Sequence, residues 1–415
     1  MRGAKRSTID GVRGQTLMTE RIDVRMRHAT TVRGHTVLKA ITWLVAATAG
    51  FGLVYAQTSK TQFESHVTTI KAEDLAPLLG PDRPAAALPP ADGSSGAAVN
   101  ILLIGSDDRS GENATIGGEN DGKRNDTTLI LHIAADRSRV EVVSIPRDTM
   151  VDLAACERSD GSTQRAYFGM FNEAFSNGAK TTNLDSDGAA CTIRTVEALT
   201  GIRMDHFAVI DFAGFRDMVN AVGGVPVCIP EQYADAYSGT YLDPGPKVLT
   251  GDQAISYVRM RKGLNTNGSD LDRIDRQQGL LKNLASKMLS AEMLYRPIDV
   301  TNFIKAIADS LTVDEEFGSL DYLGGLAFSL RGLDPSTGIV MATAPVETYP
   351  ADHFKVQLNG KAPAVWQALL DDQPIAPLLD AQSASPANTA TDSEPIGDGS
   401  IDPNGQDGIL AACSP

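Results

Sequence analysis

Short apolar runs and amphipathic segments alternate along the middle of the chain. Residues 136–138 are turn-like and lie between two apolar runs, so these runs are predicted to form a hairpin. The apolar runs have the length and composition of buried strands. The strands predicted in this way are 98–105, 127–134, 140–145, 205–211 and 225–229.

Amphipathic segments between and after these runs predict helices. Gly201 and Gly223 follow two of them, where glycine is a common stop signal. A further strand is predicted over 338–344. Because strands and helices interleave, the pattern predicts an α/β layered domain. The predicted helices are 192–199, 212–222, 272–289, 300–311 and 320–330.

The N-terminal part has a different pattern. Residues 1–39 hold nine Lys or Arg and three acidic residues, and residues 40–59 hold no charge. A stretch of about 20 uncharged, mostly apolar residues is long enough to cross a bilayer. Trp43 and Tyr55 lie near its ends, as interfacial aromatics do, and the preceding positive charge predicts a cytoplasmic N-terminus. The alternative is a cleaved signal peptide with its site at 54–56.

Composition then divides the rest of the chain into three parts. Residues 60–96 end in a segment rich in Pro, Gly and Ala and are predicted to be an extracytoplasmic linker. The folded domain, with a C-terminal helical extension, is predicted over 97–372. Residues 373–415 are predicted to be a disordered acidic tail that ends near a cysteine.

Charge and cysteine content exclude some classes of protein. The formal net charge of −15 argues against a nucleic-acid binder, which needs a basic face. No Cys-x-x-Cys or His-x-x-x-His spacing is present, which argues against zinc sites of those types. The four cysteines all follow the apolar stretch, so two disulfides are expected in an oxidising compartment. Three pairings are possible, and we favour Cys156–Cys191 with Cys228–Cys413.

Charged residues gather in four clusters next to apolar segments. If residues 257–261 are extended, Arg259 and Arg261 project from one face, because alternate residues of a strand share a face. Arg273 and Arg276 are neighbours on one surface of a predicted helix. Arg124 and Asp126 also point to one side of an extended segment. The four clusters are 105–109, 124–127, 145–148 and 257–261 with 270–277.

Together the clusters predict a site for a multiply charged anion. Clustered guanidinium groups repel one another unless an anion is present, and their shape suits bidentate contacts with phosphate oxygens. Nearby carboxylates would repel that anion, but Mg²⁺ binds both carboxylates and phosphate oxygens. The combination therefore predicts a pyrophosphate site. Each cluster alone also has a structural interpretation, such as a turn cap at Asp107 or an ordinary helix ion pair at residues 272–276.

The same clusters carry a resemblance to a known family. The ordered runs NILLIGSDDR, RNDTTLILH, VEVVSIPRDT, FNEAF, IDHFAVIDFAGFRDMVNAVGGV, LTGDQAISYVRMRKG and DLDRIDRQQ resemble the LytR-CpsA-Psr family over residues 100–289. The sequence around Cys228 resembles actinobacterial members. With the interleaved pattern, the resemblance implies a layered α-β-α domain with a central mixed sheet, preceded by one transmembrane helix.

The resemblance also implies a function and roles for individual residues. Family members transfer glycopolymers from a polyprenyl-pyrophosphate carrier to peptidoglycan, here outside a cell membrane that the chain crosses once. Asp107 and Asp126 would hold Mg²⁺, and Asp107 or Asp270 would be the general base. Asn172 and Arg109 would support substrate binding. The arginines that would contact the pyrophosphate are Arg124, Arg147, Arg259, Arg261 and Arg273, with Arg276 beside them.

Three other functions remain to be weighed against transfer. A polyprenyl-pyrophosphate hydrolase would use the same residues with water in place of a sugar hydroxyl. A non-catalytic protein that binds wall polymers is the second alternative, since fold alone does not determine function. The third is a transcriptional regulator, which the acidic composition and the predicted location outside the cell both disfavour.

Overall fold

A seven-stranded mixed sheet forms the centre of the fold. The computed structural model describes residues 60–61, 63–88, 96–107, 123–229, 231–235, 238–260, 270–288, 308, 311–334 and 337–383. From one edge to the other, the strands are β1 (Thr68–Ile70), β14 (Leu311–Asp314), β9 (His206–Ile210), β2 (Val99–Ser106), β3 (Asn125–Ile133), β4 (Val140–Ser144) and β15 (Ile339–Thr343).

The strand directions agree with the predicted mixed sheet. β2 and β3 are antiparallel, as are β3 and β4, so the predicted hairpin is confirmed. β9 lies parallel to β2, and β15 lies parallel to β4. β14 is antiparallel to β9 and parallel to β1. The ends of β2, β4 and β9 therefore lie at the same edge of the sheet as the start of β3.

Helices cover both faces of this sheet. Leu102 and Ile104 belong to a core shared with Phe175 and Trp366, whereas Ile101 packs in a second core with Leu281. This alternation is that of a strand buried on both faces. The helices are α1 (Ala72–Leu79), α2 (Glu173–Thr182), α3 (Asp185–Thr200), α4 (Phe212–Ala221), α5 (Gly251–Arg259), α6 (Asp270–Met288), α7 (Leu320–Ser329), α8 (Ala362–Leu370) and α9 (Ala376–Ser383).

The helices divide between the two faces, which confirms the layered arrangement. The core around Leu102 takes its helical side chains from α1, α2, α3 and α8. The core around Ile101 takes Leu281 from α6 and Leu326 from α7. The central sheet therefore lies between two helical layers.

Five two-stranded ribbons supplement the sheet. A smaller core joins α4, α5 and α6 to the β10–β13 ribbon through residues such as Val227, Leu249 and Leu280. The predicted strand 225–229 is therefore present, but it lies outside the central sheet. The ribbons are β5 (Met150–Leu153) with β8 (Tyr167–Met170), β6 (Cys156–Glu157) with β7 (Thr163–Gln164), β10 (Val225–Ile229) with β13 (Gly245–Leu249), β11 (Tyr233–Asp235) with β12 (Thr240–Leu242), and β16 (Val346–Thr348) with β17 (Val356–Leu358).

One of the two predicted disulfides is confirmed. Cys156 and Cys191 are bonded, with their Cα atoms 5.3 Å apart, and they join β6 to α3. Both side chains are buried. The second predicted pairing involves Cys413, which lies outside the described residues.

The predicted start of the folded domain at residue 97 is wrong. β1 pairs with β14 in the central sheet, and α1 buries Leu75, Leu78 and Leu79 in the main core. These leucines have the i, i+3, i+4 spacing of a helix face. The interval 60–96 is therefore not simply a linker, because its described residues include an edge strand and a core helix.

The predicted start of the disordered tail at residue 373 is also wrong. Ile375 is fully buried, and its backbone N–H donates to Glu141 Oε1 at 2.7 Å. α9 then continues to Ser383. The predicted tail beyond that residue lies outside the described part of the chain.

The predicted membrane segment cannot be placed on this structure. Residues 1–39 and 40–59 lie outside the described residues, as does most of the predicted helix 300–311. Among the residues that the structure describes, no helix combines the length and apolar composition needed to cross a bilayer.

Candidate active site

Two aspartates lie where β2 ends and β3 begins. The backbone N–H of Asp107 donates to the carbonyl of Arg124 at 2.7 Å. In the register of this pair, Ser106 faces Asn125 and Gly105 faces Thr127, so Asp126 is the extra residue of a β-bulge. Bulges re-aim side chains at the ends of sheets. The bulge and the bond from Asp107 to Arg124 therefore place Asp107 and Asp126 at the same edge of the sheet.

Arg147 extends from the end of β4 to this edge. Its Nη1 donates to Asp126 Oδ1 at 2.7 Å, and its Nε lies 3.4 Å from Asp148 Oδ1. The carbonyl of Arg147 accepts from the backbone N–H of Asn172 at 3.1 Å. Asn172 is buried immediately before α2. The structure thus brings the predicted residues of three separate sequence clusters together.

Arg259 occupies the last position of a helix, so its predicted extended conformation is wrong. α5 begins with a capping box, in which Thr250 and Gln253 bond to each other's backbone N–H groups. The Arg259 guanidinium lies over the Phe212 ring, 5.0 Å from its centroid. Phe212 follows β9, so this contact holds Arg259 near the same edge. Arg261 lies outside the described residues.

The first turns of α6 bring two more predicted arginines to the site. Arg273 is only 3% exposed, and Arg276 is half-buried with Nη2 donating to the Met260 carbonyl at 2.5 Å. Gln277 Oε1 accepts from the Thr127 hydroxyl at 3.2 Å. These contacts fasten α6 to the end of α5 and to the start of β3.

Two predicted residues have no described side chain. Asp270 is the first residue of α6, but its side chain lies outside what the structure describes, and Arg109 lies outside altogether. Arg124 is described and exposed beside Asp107. The structure therefore positions the side chains of Asp107, Arg124, Asp126, Arg147, Asn172, Arg259, Arg273 and Arg276.

Several buried polar atoms at this edge indicate that the site binds a polar ligand. Ser106 Oγ, Asn125 Oδ1, Asn172 Oδ1 and Arg276 Nε are buried and have no hydrogen-bond partner among the described residues. Leaving such a group unsatisfied costs about 1–3 kcal/mol. Their concentration among the arginines and carboxylates favours a site that is completed by a ligand with many oxygen atoms.

Tyr257 is not suited to accept a proton at this site. It lies on α5, two residues before Arg259, and its ring packs against Tyr233. Burial raises the pKa of Tyr257 to about 12. Its hydroxyl therefore stays protonated at neutral pH, and carboxylates are the better bases.

The donor set at this edge fits Mg²⁺ that is shared with a phosphorylated substrate. Within the described residues, no three His, Cys, Asp or Glu side chains gather closely enough to hold a metal by themselves. Mg²⁺ commonly takes one or two carboxylates and completes its shell with water and phosphate oxygens. Asp107 and Asp126 could supply the two carboxylates, while Arg147 already contacts one oxygen of Asp126.

Sequence reasoning missed several residues that shape the site. Phe212 supports Arg259, Gln277 contacts Thr127, and Asp148 contacts Arg147. Asp148 and Gln277 lie inside the predicted clusters 145–148 and 270–277, so the sequence could have indicated a role for them. The role of Phe212 could not be predicted, because it depends on β9 lying beside β2.

The fold and this edge define an α/β protein with a candidate site built from arginines and carboxylates. The chain belongs to the LytR_cpsA_psr family, whose model matches residues 53–359. This match confirms the resemblance seen in the sequence.

Named relatives support the same assignment. The chain is 30% identical over 270 residues to the cell wall biosynthesis protein LcpA of Corynebacterium glutamicum, covering 60% of this chain and 50% of that protein. It is 32% identical over 259 residues to the probable cell wall biosynthesis protein LcpB of the same organism, covering 61% and 56%. It is also 32% identical over 173 residues to the polyisoprenyl-teichoic acid–peptidoglycan teichoic acid transferase TagV of Bacillus subtilis, covering 40% of each. The chain spans about half the length of the curated relatives it matches.

Solved structures resemble the fold. The LytR-Csp2A-Psr enzyme from Actinomyces oris aligns with a TM-score of 0.50 at 20% identity, covering 70% of this chain and 95% of that one. Protein gbs0355 from Streptococcus agalactiae aligns with a TM-score of 0.52 at 22% identity, covering 66% and 87%. At these identities the likeness establishes a shared fold.

Proposed function

We propose that this chain transfers a phosphate-linked glycopolymer from a polyprenyl-pyrophosphate carrier to peptidoglycan and releases polyprenyl phosphate. The observation that carries the proposal is the convergence of Arg147, Arg259 and Arg273 with Asp107 and Asp126 at one edge of the sheet. The similarity to TagV, a polyisoprenyl-teichoic acid–peptidoglycan teichoic acid transferase, supports the same reaction class.

The arginines would bind and neutralise the pyrophosphate. Arg273 is buried, so its charge acts in surroundings where electrostatic interactions are stronger than in water. Arg147 is held by Asp126 and Asp148, which fixes its guanidinium before substrate arrives. Arg259 is held over the Phe212 ring. Catalysis of phosphoryl transfer depends mainly on such positioning and charge stabilisation.

The proposed reaction exchanges one bond to phosphorus for another. A hydroxyl oxygen of peptidoglycan bonds to the phosphorus that carries the glycopolymer, and the bond from this phosphorus to the bridging oxygen breaks. Polyprenyl phosphate leaves with that oxygen. The hydroxyl proton passes to a carboxylate, for which Asp107 and Asp270 are the candidates.

Asp107 and Asp126 would hold Mg²⁺ in this reaction. When bound, the ion supplies positive charge that stabilises the phosphate oxygens as charge develops on them. Asp126 would then contact the ion as well as Arg147, and it would couple the metal site to the arginine that approaches from β4. This arrangement requires the bulge that places Asp126 at the edge of the sheet.

The predicted topology completes the proposal. Residues 40–59 would anchor the chain in the cell membrane, with residues 1–39 in the cytoplasm and the folded domain outside. This location would bring the site to the lipid carrier and to the cell wall. The confirmed Cys156–Cys191 disulfide agrees with an oxidising compartment.

A reconstituted transfer assay tests the proposal. The full-length chain in detergent is incubated with a short polyprenyl-pyrophosphate glycan, peptidoglycan oligomers and Mg²⁺, and mass spectrometry follows the lipid and sugar products. We expect a new phosphodiester adduct that requires Mg²⁺ and is lost in both Asp107→Ala and Arg259→Ala. Arg331→Ala is the matched control, because Arg331 is exposed and stacks on Phe328 away from the site.

The products separate transfer from its alternatives. Cleavage of the carrier without a sugar adduct would assign a hydrolase instead. Carrier that binds tightly but stays intact would leave only a binding role. Activity that is unaffected by Asp107→Ala and Arg259→Ala would place the reaction elsewhere in the protein.

A further inference from the structure

An exposed aromatic surface lies beside the candidate active site and has no role in the reaction described above. Phe168 is 52% exposed, and its ring centroid lies 6.1 Å from that of Tyr349. Phe354, in the turn between β16 and β17, is 79% exposed. We call Phe168, Tyr349 and Phe354 the aromatic surface. Phe168 and Phe354 are exposed and Tyr349 is half-buried, and exposed apolar patches commonly mark interaction sites.

The β5–β8 ribbon presents a face of mixed apolar and acidic character on the side that carries Phe168. Val151 and Leu153 of β5 point into the main core. By alternation, the opposite face of the β5–β8 ribbon carries Met150 beside Met170 and Asp152 beside Phe168. This face therefore leads from a methionine pair near the active site to Phe168.

The aromatic surface is connected directly to the active-site edge. The backbone N–H of Val356 in β17 donates to the carbonyl of Asp148 at 3.3 Å, next to Arg147. Asn172 lies four residues beyond Phe168 along the chain, which corresponds to roughly 13 Å of extended strand. One end of a ligand bound on the aromatic surface would therefore lie close to Arg147.

The two sides of the site are carried by different layers of the fold. Arg259 and Arg273 come from α5 and α6, which pack in the small core with β10 and against the sheet face around Ile101. The ribbon that carries Phe168 packs against the opposite sheet face, around Leu102. Phosphoryl transfer needs the attacking and leaving oxygens roughly in line, on opposite sides of phosphorus. An acceptor on the aromatic surface would approach phosphorus from the side opposite α5 and α6.

The chemistry of the aromatic surface suits a neutral sugar chain. Pyranose rings present apolar C–H faces that stack on aromatic rings, with hydroxyl groups around their edge. Asp152 lies opposite Phe168, and Glu347, two residues before Tyr349, accepts a hydrogen bond from Gln357 Nε2 at 2.7 Å. These oxygens can accept hydrogen bonds from sugar hydroxyls. The same carboxylates would repel a polymer rich in phosphate.

We propose that the aromatic surface binds the acceptor, a neutral glycan of pyranose sugars, and directs its hydroxyl toward phosphorus from the side opposite α5 and α6. The inference rests on the proposed transferase function, because that function supplies the need for a sugar acceptor. Phe168 and Tyr349 are positioning residues for the acceptor and take no part in the bond exchange.

Acceptor kinetics test this role in the full-length chain in detergent. Phe168→Ala and Tyr349→Ala should each raise the KM for peptidoglycan oligomers about tenfold, as expected for loss of one aromatic contact, with kcat nearly unchanged. Phe168→Tyr should retain the wild-type KM. Phe328→Ala is the matched control, because Phe328 is also a strongly exposed phenylalanine, at 66%, but lies on α7. Equal KM values in wild type and Phe168→Ala would overturn the proposal.

A binding measurement separates this inference from the proposed function. Isothermal titration with a tetramer of N-acetylglucosamine needs no catalysis, and we expect Phe168→Ala to weaken binding about tenfold. If no transfer occurs but this binding still depends on Phe168, the glycan surface stands while the transferase function fails. Tetramer binding that is unaffected by Phe168→Ala, or that is absent in wild type, overturns the surface. Binding of polyglycerol phosphate here in place of the tetramer also overturns it.

Discussion

The two ends of the central sheet both bury charged and polar side chains, but they do so in different ways. At the end where β2 stops, Arg273 is buried, and buried atoms such as Asn125 Oδ1 and Asn172 Oδ1 have no hydrogen-bond partner among the described residues. This end combines concentrated positive charge with unsatisfied polar groups. Such an arrangement costs stability in the protein alone and becomes favourable when an anion binds.

The opposite end carries two buried histidines with contacts to both ring nitrogens. His132 lies 2.7 Å from Asn100 Oδ1 and 3.1 Å from Asp372 Oδ1. His206 lies 3.0 Å from Asp314 Oδ1 and 2.7 Å from the Tyr322 hydroxyl. These networks join sheet strands to segments that come later in the chain. Their contacts are complete within the protein, which indicates a role in the fold.

The comparison gives a criterion for separating function from structure among buried polar groups. Groups whose partners are supplied by the protein should matter for stability, and groups that await a ligand should matter for activity. Substitutions at the end where β2 stops should therefore lower activity, and substitutions at the opposite end should lower stability.

Arg273→Ala should produce the largest effect on activity. Removing one buried donor that stabilises developing charge commonly lowers the rate about 100- to 1000-fold. We expect a loss of this size in the transfer assay, and a smaller loss in Arg273→Lys, because lysine keeps the charge but not the bidentate geometry. Activity is compared per folded molecule, because Arg273 is buried and also makes contacts within the protein.

Arg331→Ala serves as the control for this prediction, since its exposed guanidinium lies over Phe328. The criterion fails at this end of the sheet if Arg273→Ala keeps its activity. It also fails if the variant loses activity only because it no longer folds, which thermal unfolding and circular dichroism would reveal.

Asp372→Asn should lower the stability of the fold and leave activity unchanged. Asp372 contacts His132 and Arg139 and accepts from the backbone N–H of Ala135 at 3.0 Å. Asparagine keeps the shape and tolerates the positive φ of 52° but loses the charge. Because the carboxylate is partly exposed, we expect a loss of about 1–2 kcal/mol in unfolding free energy. Activity per folded molecule should be unchanged.

Asp371→Asn is a matched control for Asp372→Asn, because Asp371 is the exposed neighbour and its carboxylate accepts a hydrogen bond from Gln367 Nε2 at 3.0 Å. Denaturant unfolding of both variants gives the comparison. A stability loss of equal size in the two variants would show that the network around His132 has no special role.

The core strands and much of the site were predictable from sequence, for a common physical reason. β2, β3, β4 and β9 are short apolar runs buried on both faces, and that pattern is strong. Charged residues directly after such runs stand out, so Asp107 and Arg147 could be identified. Their meeting at one edge follows from the hairpin and from strand direction.

The parts of the fold that could not be predicted have local sequence patterns that are weak or that favour two different structures. Val258 and Met260 alternate with Arg259 as in a strand, but the capping box at Thr250 and Gln253 starts a helix that ends at Arg259. β1 has three residues and gains its strand partner from β14, far along the chain, so no local pattern reveals it. The leucines of α1 have helical spacing, but Pro77 within the helix and the Pro-rich segment that follows are typical of a linker.

His206→Gln should have the smallest effect and the clearest dependence on pH. Burial of the ring lowers the pKa of His206, but the hydrogen bond to Asp314 and the charges of Asp314, Glu316 and Asp205 outweigh it and raise the pKa above 6.5. A raised folded-state pKa gives stability that is fully present below the unfolded value, near 6.5, and is lost as pH rises through the folded value. The stabilisation should be about 1 kcal/mol, as for a single hydrogen bond.

Denaturant unfolding of wild type and His206→Gln between pH 5.5 and 8.5 measures this stabilisation, because titrations common to both proteins cancel in the difference. That difference should shrink as pH rises, since wild type alone loses the proton that Asp314 attracts. A difference that stays constant across this range would mean that His206 contributes through packing against Phe317 and Tyr322, and that only the neutral ring matters for the fold.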